Sequence, residues 1–138
     1  MGELIAVVSG KGGTGKTSVC AGLAAALAET GKQVLCVDCD VGLRNLDISL
    51  GMSECGSLSF LDVAEYGYEL ENAPKSSIYP TLSFLTAPMN RSPEEISTDS
   101  FIRLFRQARE RFDYIFLDAP AGVDAGFRLV CAAADRFL

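Results

Sequence analysis

The sequence contains no histidine and few basic residues. Without histidine, Ser-His-Asp and Cys-His catalysis within the chain are excluded, and thiolates and carboxylates remain as the only anionic side-chain metal ligands. Lys and Arg number 12 against 18 Asp and Glu, which gives a net charge of −6. Because proteins bind nucleic acid mainly through Lys and Arg on phosphates, this balance argues against a dedicated nucleic-acid-binding protein.

Long hydrophobic runs are also absent, and the N-terminal residues lack the pattern of a secretory leader. No apolar stretch approaches the roughly 18–20 residues that a helix needs to span a bilayer. No basic segment precedes the first apolar run, so we expect no secretory signal peptide. The five cysteines are an odd number, which predicts reduced thiols and a cytoplasmic protein. With 138 residues, 49% of them hydrophobic, the chain has the size of one folded domain or a piece of one.

Short apolar runs alternate with helical patterns along the chain. The runs are continuously apolar, which is typical of strands buried on both faces of a parallel sheet. The predicted strands are Leu4–Val8, Val34–Asp38, Leu82–Thr86 and Tyr114–Asp118, with a further strand beginning at Arg136. The predicted helices are Thr17–Thr30, stopped by Gly31, then Leu58–Tyr66, a helix opening at Ser92, and one around Gly126–Ala134. This alternation predicts an α/β fold: a doubly wound, mainly parallel sheet with helices on both faces and ligands at the carboxyl ends of its strands.

The helix that opens at Ser92 carries the clearest start signal. Ser92 is predicted as its N-cap, with Pro93 in the first turn and Glu95 at the capping-box position. Spacings of three and four predict a buried stripe of Phe101, Phe105, Ala108 and Phe112. The basic residues Arg103, Arg106, Arg109 and Arg111 are predicted to form a solvated face.

A glycine-rich segment follows the first strand. Residues 10–17 match G-x-x-x-x-G-K-S/T, the pattern of a phosphate-binding loop. Its glycines allow successive backbone N–H groups to surround phosphate oxygens, and the start of the next helix adds its dipole. Lys16 would contact the β- and γ-phosphates, and the Thr17 hydroxyl would be placed for Mg²⁺. The predicted nucleotide-binding residues are Gly10, Lys11, Gly12, Gly13, Thr14, Gly15, Lys16 and Thr17.

A dinucleotide-binding fold is the main alternative for this segment. Gly10, Gly12 and Gly15 also fit G-x-G-x-x-G, and Asp38 lies about where a ribose-binding acid is expected. That alternative leaves Lys16 and Thr17 unexplained, as does a glycine-rich turn without any ligand. The phosphate-binding loop therefore accounts for more of the residues.

Acidic residues end two of the predicted strands. Asp38 ends the second strand and Asp118 the fourth, and an Asp after four apolar residues is the pattern of an acid that holds Mg²⁺, usually through water. For either residue alone, a helix cap or a turn is the alternative interpretation. Asp40 follows in a loop from which it could orient an attacking water. The C-x-x-C formed by Cys36 and Cys39 is predicted to be packing rather than a metal or redox motif, since the two side chains should point to opposite faces.

Lys11 distinguishes this segment from a generic phosphate-binding loop, which does not require lysine directly after its first glycine. Residues 10–17 resemble the deviant Walker A motif of the MinD/ParA family of P-loop ATPases. Residues 37–47 resemble the septum-placing branch of that family, and residues 117–122 resemble its Walker B and switch II segment. The resemblance runs along essentially all of residues 1–138 but would cover only about the first half of a family member. We therefore expect the N-terminal part of an ATPase domain, truncated before its C-terminal strands and membrane-targeting helix.

The resemblance implies an ATP hydrolase that works as a homodimeric switch with ATP and Mg²⁺. The implied catalytic residues are Lys11, which would reach the partner's phosphates, Lys16, and Asp40, which would position the hydrolytic water. The implied metal ligands are Thr17, Asp38 and Asp118. Asn45 and Gly122 would belong to switch regions that sense the γ-phosphate.

The resemblance also implies partners. The ATP-bound dimer would associate peripherally with the cytoplasmic face of the inner membrane, through a segment missing here. It would recruit a MinC-like division inhibitor, and a MinE-like activator would stimulate hydrolysis and release. Nucleic acid is not expected as a partner. A ParA-like DNA-partitioning ATPase, a flagellar-number relative and a non-catalytic fragment are the alternatives.

Overall fold

The computed structural model describes residues 2–7, 14–39, 58–76, 78–86, 96–119, 130 and 132–137, with the backbone alone at 14–19. Its strands are Glu3–Val7 (β1), Val34–Asp38 (β2), Leu82–Leu85 (β3), Tyr114–Asp118 (β4) and Arg136–Phe137 (β5). Its α-helices are Thr14–Glu29 (α1), Phe60–Glu65 (α2) and Thr98–Arg109 (α3), and Leu70–Asn72 forms a 3₁₀ turn.

The five strands form one sheet in the order β3-β2-β4-β1-β5. Every neighbouring pair is parallel, so all the carboxyl ends lie along the same edge. α1 connects β1 to β2, α2 lies between β2 and β3, and α3 lies between β3 and β4. The predicted doubly wound parallel sheet is therefore confirmed, and its fourth strand is inserted between the first and second.

Helices cover both faces of the sheet, as predicted. Along β1, Leu4 and Ala6 enter one core cluster, whereas Ile5 and Val7 enter the other, as the alternation of side chains along a strand requires. The face of Ile5 and Val7 is covered by α1 through its small side chains: Cys20, Ala21, Ala24 and Ala28. The opposite face is covered by α2 and α3, where the Phe101 ring meets the rings of Phe60 and Phe105 edge-on at 5.4 and 4.8 Å.

α1 ends at Glu29, one residue before the predicted Thr30, and begins three residues earlier than predicted. Gly31 has a φ of +90°, and its N–H donates to Ala28 O at 3.0 Å while the Lys32 N–H donates to Leu27 O at 3.3 Å. These two bonds form a Schellman cap. The helix begins at Thr14 rather than Thr17. Thr14 and Gly15 have poor helix propensity, but they lie in the first turn, where the N–H groups have no intrahelical acceptor in any helix.

α3 begins later than predicted. Its N-cap is Ser97, which has extended backbone angles and accepts a hydrogen bond from Ser100 N at 3.3 Å. The prediction of a helix continuous from Ser92 is therefore wrong at Ile96 and Ser97, which are not helical; residues 91–95 lie outside the described residues. Ile96 is buried, and packing of its side chain in the core places the start of the helix after it, at Thr98.

The predicted buried stripe of α3 is confirmed for Phe101, Phe105 and Ala108, which are joined by Leu104. Phe112 packs against the same cluster but lies beyond the end of the helix at Arg109. Its burial therefore comes from the turn after α3 rather than from helical spacing.

Smaller differences occur at the other predicted elements. α2 begins at Phe60 because Ser59 and Asp62 form a capping box, with bonds of 2.9 and 3.1 Å. Thr86 lies just past β3, in an isolated bridge with Ser59. Val130, Ala132 and Ala133 are helical and Ala134 is not, while the rest of the predicted final helix lies outside the described residues. The strand predicted from Arg136 is confirmed as β5, paired with β1.

Arg109 does not lie on a solvated face, contrary to the prediction. Its guanidinium forms an ion pair with Asp135, with N–O distances of 2.5 and 2.8 Å, and the Asp135 carboxylate also accepts from Leu4 N–H at 3.0 Å. Arg111 pairs with Glu71. Arg103 and Arg106 are exposed, as predicted.

Candidate functional site

Three strand ends and the start of α1 meet at the carboxyl edge of the sheet. Asp38 at the end of β2 and Asp118 at the end of β4 are register partners, and Asp118 also pairs with Val7 at the end of β1. Residues 8–13 lead from β1 to α1, which begins at Thr14. The fold thus brings the two predicted metal-binding acids together, beside the strand that leads into the glycine-rich segment.

Both acids are buried, Asp38 at 0% exposure and Asp118 at 1%. Cys36 and Phe116, two residues earlier on the same strands, belong to the core cluster under α1. Because side chains two residues apart on a strand share a face, both carboxylates lie on the α1 side of the sheet. The backbone holds the strand ends in place: Cys39 N–H donates to Asp118 O and Ala119 N–H donates to Val7 O, each at 3.1 Å.

Cys20 in the second turn of α1 marks how near the helix lies to Asp118. Hydrogen bonding with the Cys36 thiol, burial and the negative charge of Asp118 together raise the pKa of the Cys20 thiol well above its usual value. The Asp118 carboxylate therefore acts on a group one helical turn after Thr17. The helix start and the acids share one small region.

The first turn of α1 is suited to an anion. It contains Thr14, Gly15, Lys16 and Thr17, and the N–H groups of a helix's first turn have no intrahelical acceptor. They concentrate the positive end of the helix dipole at this point. The last four residues of the glycine-rich pattern thus supply backbone donors at the edge of the sheet where both acids lie.

The paired carboxylates fit a Mg²⁺ ion that also binds phosphate. Carboxylate oxygens are ligands that Mg²⁺ prefers, and the ion usually keeps several waters while binding one or two carboxylates and substrate phosphates. In the described ranges, no three Cys, Asp or Glu side chains are arranged as a metal-binding group. The two buried carboxylates are therefore a donor set that fits a Mg²⁺ ion shared with a bound phosphate.

Several predicted site residues lie outside the described residues: Gly10, Lys11, Gly12, Gly13, Asp40, Asn45 and Gly122. The side chains of Lys16 and Thr17 are likewise not described. The roles of all these residues stay predictions. What the structure adds is the placement of Asp38, Asp118 and the backbone start of α1.

The described cysteines, Cys20, Cys36 and Cys39, lie on both faces of the sheet. Cys36 lies in the cluster under α1 and Cys39 in the cluster on the opposite face, so they cannot act as a C-x-x-C pair, as predicted. Cys36 instead shares its buried cluster with Cys20, an arrangement that the sequence analysis missed. The available signal was the row of small residues at every fourth position of α1: Cys20, Ala24 and Ala28.

Known proteins are similar to this chain in both sequence and fold. A family model for the CobQ/CobB/MinD/ParA nucleotide binding domain matches residues 5–120. The septum site-determining protein MinD of Synechocystis sp. is 43% identical over 137 residues, which are 99% of this chain and 52% of that protein.

Two solved structures extend the likeness to three dimensions. The MinC:MinD cell division protein complex of Aquifex aeolicus has a TM-score of 0.85 at 35% identity, covering 98% of this chain and 54% of that one. MinD complexed with Mg-ADP from Pyrococcus horikoshii has a TM-score of 0.82 at 29% identity, covering 99% and 56%. The chain thus spans about half the length of the relatives it matches.

Proposed function

Since the chain belongs to the CobQ/CobB/MinD/ParA family of nucleotide-binding domains, we propose that it is the nucleotide-binding part of a MinD-type ATPase. In this proposal, binding of ATP with Mg²⁺ drives dimerisation, and the dimer helps to place the cell-division septum. One observation carries the proposal: Asp38 and Asp118 lie in register, buried, on the α1 side of the sheet edge. The helix they face begins within the sequence G-x-x-x-x-G-K-T.

Each part of the site has a task in binding the nucleotide. Backbone N–H groups of residues 10–15 and of the first turn of α1 would surround the phosphates, with Lys16 as the main charge partner. Thr17, Asp38 and Asp118 would hold Mg²⁺, whose charge offsets that of the phosphates. The buried strand ends fix both acids before the ligand arrives, so little reorganisation accompanies binding.

Hydrolysis depends on residues next to these. Asp40 would orient the attacking water toward the γ-phosphate, two residues past the buried Asp38. Lys11 would reach the phosphates held by the partner subunit, so that each site is complete only in the dimer. Asn45 and Gly122 would respond to the γ-phosphate. A dimer with nucleotide in its interface lasts only while the γ-phosphate does, and hydrolysis therefore ends the assembled state.

We propose the following partners for the whole protein. The solved MinC:MinD complex of a similar protein supports recruitment of a MinC-like division inhibitor. A MinE-like activator would stimulate hydrolysis, and the dimer would bind the cytoplasmic face of the membrane peripherally. Among the described residues, none of the helices has both the length and the apolar character needed to cross a membrane.

The dimerisation step is tested by light scattering on the purified chain with Mg-ATP and with Mg-ADP. We expect the mass of a monomer in Mg-ADP and of a dimer in Mg-ATP. Asp40→Ala should prolong the dimer, since it leaves nucleotide binding intact and slows hydrolysis. Asp99→Ala, which removes an exposed carboxylate on α3, is the control and should behave as the unsubstituted chain. A monomeric mass in both nucleotides would contradict ATP-driven dimerisation.

The cellular role is tested by sedimenting the protein as the cell makes it with anionic phospholipid vesicles. Pelleting in ATP but not in ADP is the result we expect. Failure to pellet in either nucleotide would contradict the membrane step. ATP-dependent binding to nucleoid DNA in place of vesicles would favour a DNA-partitioning ATPase instead.

A further inference from the structure

A groove lies between α3 and the segment that enters β5. Its volume is about 480 Å³, and the residues that line it are Ile102, Phe105, Arg106, Arg109, Ala132, Ala133, Ala134 and Asp135. Arg109, at one end of the groove, donates a hydrogen bond to Gly2 O at 3.3 Å, beside the amino end of β1. The candidate Mg²⁺ site lies at the carboxyl edge of the sheet, so the proposed nucleotide chemistry does not use this groove.

Arg109 holds the two walls of the groove together. Its guanidinium comes from α3 and donates to Ala133 O at 3.4 Å and to the Asp135 carboxylate at 2.5 and 2.8 Å, both on the opposite wall. These bonds fix the width of the groove before anything binds in it. A preformed groove loses less conformational entropy on binding than one that has to be ordered.

Arg106 gives the groove a positive charge that its own lining does not offset. The charge of Arg109 is balanced by Asp135. Arg106 is exposed, and across the described parts of the chain no hydrogen bond or ion pair joins it to another residue. The half-buried Ile102 lies one helical turn before it. A complementary occupant therefore has a carboxylate close to a large apolar side chain.

The turn after α2 has these two features. Residues 65–69 read Glu-Tyr-Gly-Tyr-Glu, and all five are exposed. The exposed fractions of Tyr66 and Tyr68 are 54% and 56%. Gly67 has a φ of +79°, and the N–H groups of both tyrosines donate to Asp62 O at 3.1 and 3.2 Å, which fixes the shape of the turn. The turn thus presents two aromatic rings between two carboxylates.

We propose that the groove of one copy of this chain binds the 65–69 turn of a second copy. In this contact a tyrosine ring packs against Ile102 and the Arg106 guanidinium, and a glutamate of the turn pairs with the same guanidinium. Arginine stacks favourably on aromatic rings, and Tyr and Arg are enriched among the residues that contribute most to interfaces. The net charge of −6 opposes association of two copies, so the local charge match directs the contact.

The proposed contact is head-to-tail, because the groove and the turn are different surfaces. Each copy can bind one neighbour through its groove and another through its turn, so assembly can continue past a dimer. It goes beyond the proposed ATP-dependent dimer, which uses the carboxyl edge of the sheet. One turn in one groove is a small interface, so we expect the contact in concentrated protein and not in dilute protein.

Sedimentation equilibrium of the purified chain without nucleotide, over a wide range of protein concentration, tests the contact. The average mass should rise with concentration past that of a dimer. Arg106→Glu in the groove and Tyr68→Ala in the turn should each weaken association about tenfold or more. Arg103→Glu is the matched control, because it makes the same charge change at an exposed residue of α3 that does not line the groove. It should associate as the unsubstituted chain does.

Mixing the two variants tests the head-to-tail geometry. Arg106→Glu keeps an intact turn and Tyr68→Ala keeps an intact groove, so an equal mixture should form a dimer that does not grow further. A mixture that stays monomeric would overturn the inference. Equal weakening by Arg103→Glu would overturn it too, since the effect would then be one of overall charge. If Arg106→Glu does not fold by circular dichroism, Arg106→Gln removes the same charge and should also weaken association.

The outcome is independent of the proposed nucleotide site. Association is measured without nucleotide, and both variants should bind Mg-ATP as the unsubstituted chain does. A chain that binds Mg-ATP but stays monomeric without nucleotide at every concentration would overturn this inference alone. A chain that associates through the groove but binds no ATP would overturn the proposed function alone.

Discussion

Asp135 joins three parts of the chain, and replacing it with asparagine tests how strongly they are held together. Its carboxylate accepts hydrogen bonds from the Arg109 guanidinium at 2.5 and 2.8 Å and from Leu4 N–H at 3.0 Å. Its own N–H donates to Leu4 O at 2.8 Å. Asp135 therefore ties the end of α3 and the segment entering β5 to β1, the strand that leads into the glycine-rich loop.

The electrostatic contribution of the Asp135 carboxylate to stability depends on pH. The hydrogen bond from Arg109 is the main cause that holds the pKa of Asp135 below its usual value, with smaller help from Leu4 N–H and the charge of Arg109; partial burial opposes it. Because the folded pKa lies below the unfolded one, near 3.9, the contribution is fully present above the unfolded pKa. It is lost as the pH falls through the folded pKa.

The contribution is modest because the Asp135 side chain is 40% exposed. Exposed ion pairs contribute about 0–1 kcal/mol, and a hydrogen bond to a charged group up to about 3 kcal/mol when buried. The Asp135 carboxylate forms a bidentate ion pair with Arg109 and accepts one hydrogen bond from Leu4 N–H, and solvent screens both interactions. We therefore expect Asp135→Asn to lower the free energy of unfolding by about 1 kcal/mol near neutral pH.

Urea unfolding followed by circular dichroism measures this difference at neutral pH and in acid below the lowered pKa of the Asp135 carboxylate, where the carboxylate is protonated. The gap between Asp135→Asn and the unsubstituted chain should shrink in acid. Glu65→Gln, which removes an exposed carboxylate at the end of α2, is the control and should change little at either pH. A gap of the same size at both pH values, or none at neutral pH, would refute the reasoning.

Three further predictions concern the site, the core and a turn. Asp118→Asn should abolish the strengthening of nucleotide binding by Mg²⁺ while leaving binding in a chelator unchanged; a retained Mg²⁺ response in calorimetry would argue against Asp118 as a metal ligand. Phe101→Ala should lower stability by about 3–5 kcal/mol, because the ring is 1% exposed and contacts two other rings; a loss below about 1 kcal/mol in urea would contradict that packing. Gly31→Ala should lower the unfolding free energy by about 1 kcal/mol, the cost of a left-handed alanine. The added methyl meets nothing within 4 Å, so an unchanged urea midpoint would contradict the backbone strain.

The strands of this fold were predictable because their signal is local. A run such as Tyr114–Asp118 is apolar throughout, and burial on both faces of a parallel sheet requires this. The predicted bounds of β2 and β4 agree with the structure. The sheet order was not predictable, since the insertion of β4 between β1 and β2 depends on pairing between distant segments. The register of Asp38 against Asp118 therefore came from the structure.

The errors occurred where tertiary contacts outweigh local signals. Ser92 and Ser97 each have the chemistry of an N-cap, and burial of Ile96 goes with a described helix that begins after Ser97. Arg109 has helical neighbours typical of a solvated face, yet its partner Asp135 lies 26 residues further along the chain. The shared burial of Cys20 and Cys36 likewise joins a helix to a strand, and the small residues at every fourth position of α1 do not identify Cys36 as a neighbour.

The central claim is that the carboxyl edge of this sheet binds Mg²⁺ and ATP, and calorimetric titration of the purified chain with ATP tests it most directly. The titration is run with Mg²⁺ and with a chelator, on the unsubstituted chain, on Lys16→Ala and on Lys75→Ala, which changes an exposed lysine before β3. We predict that ATP binds more tightly with Mg²⁺, that Lys16→Ala abolishes tight binding, and that Lys75→Ala leaves it intact. Tight binding that persists in Lys16→Ala, or no binding by the unsubstituted chain, would contradict the account.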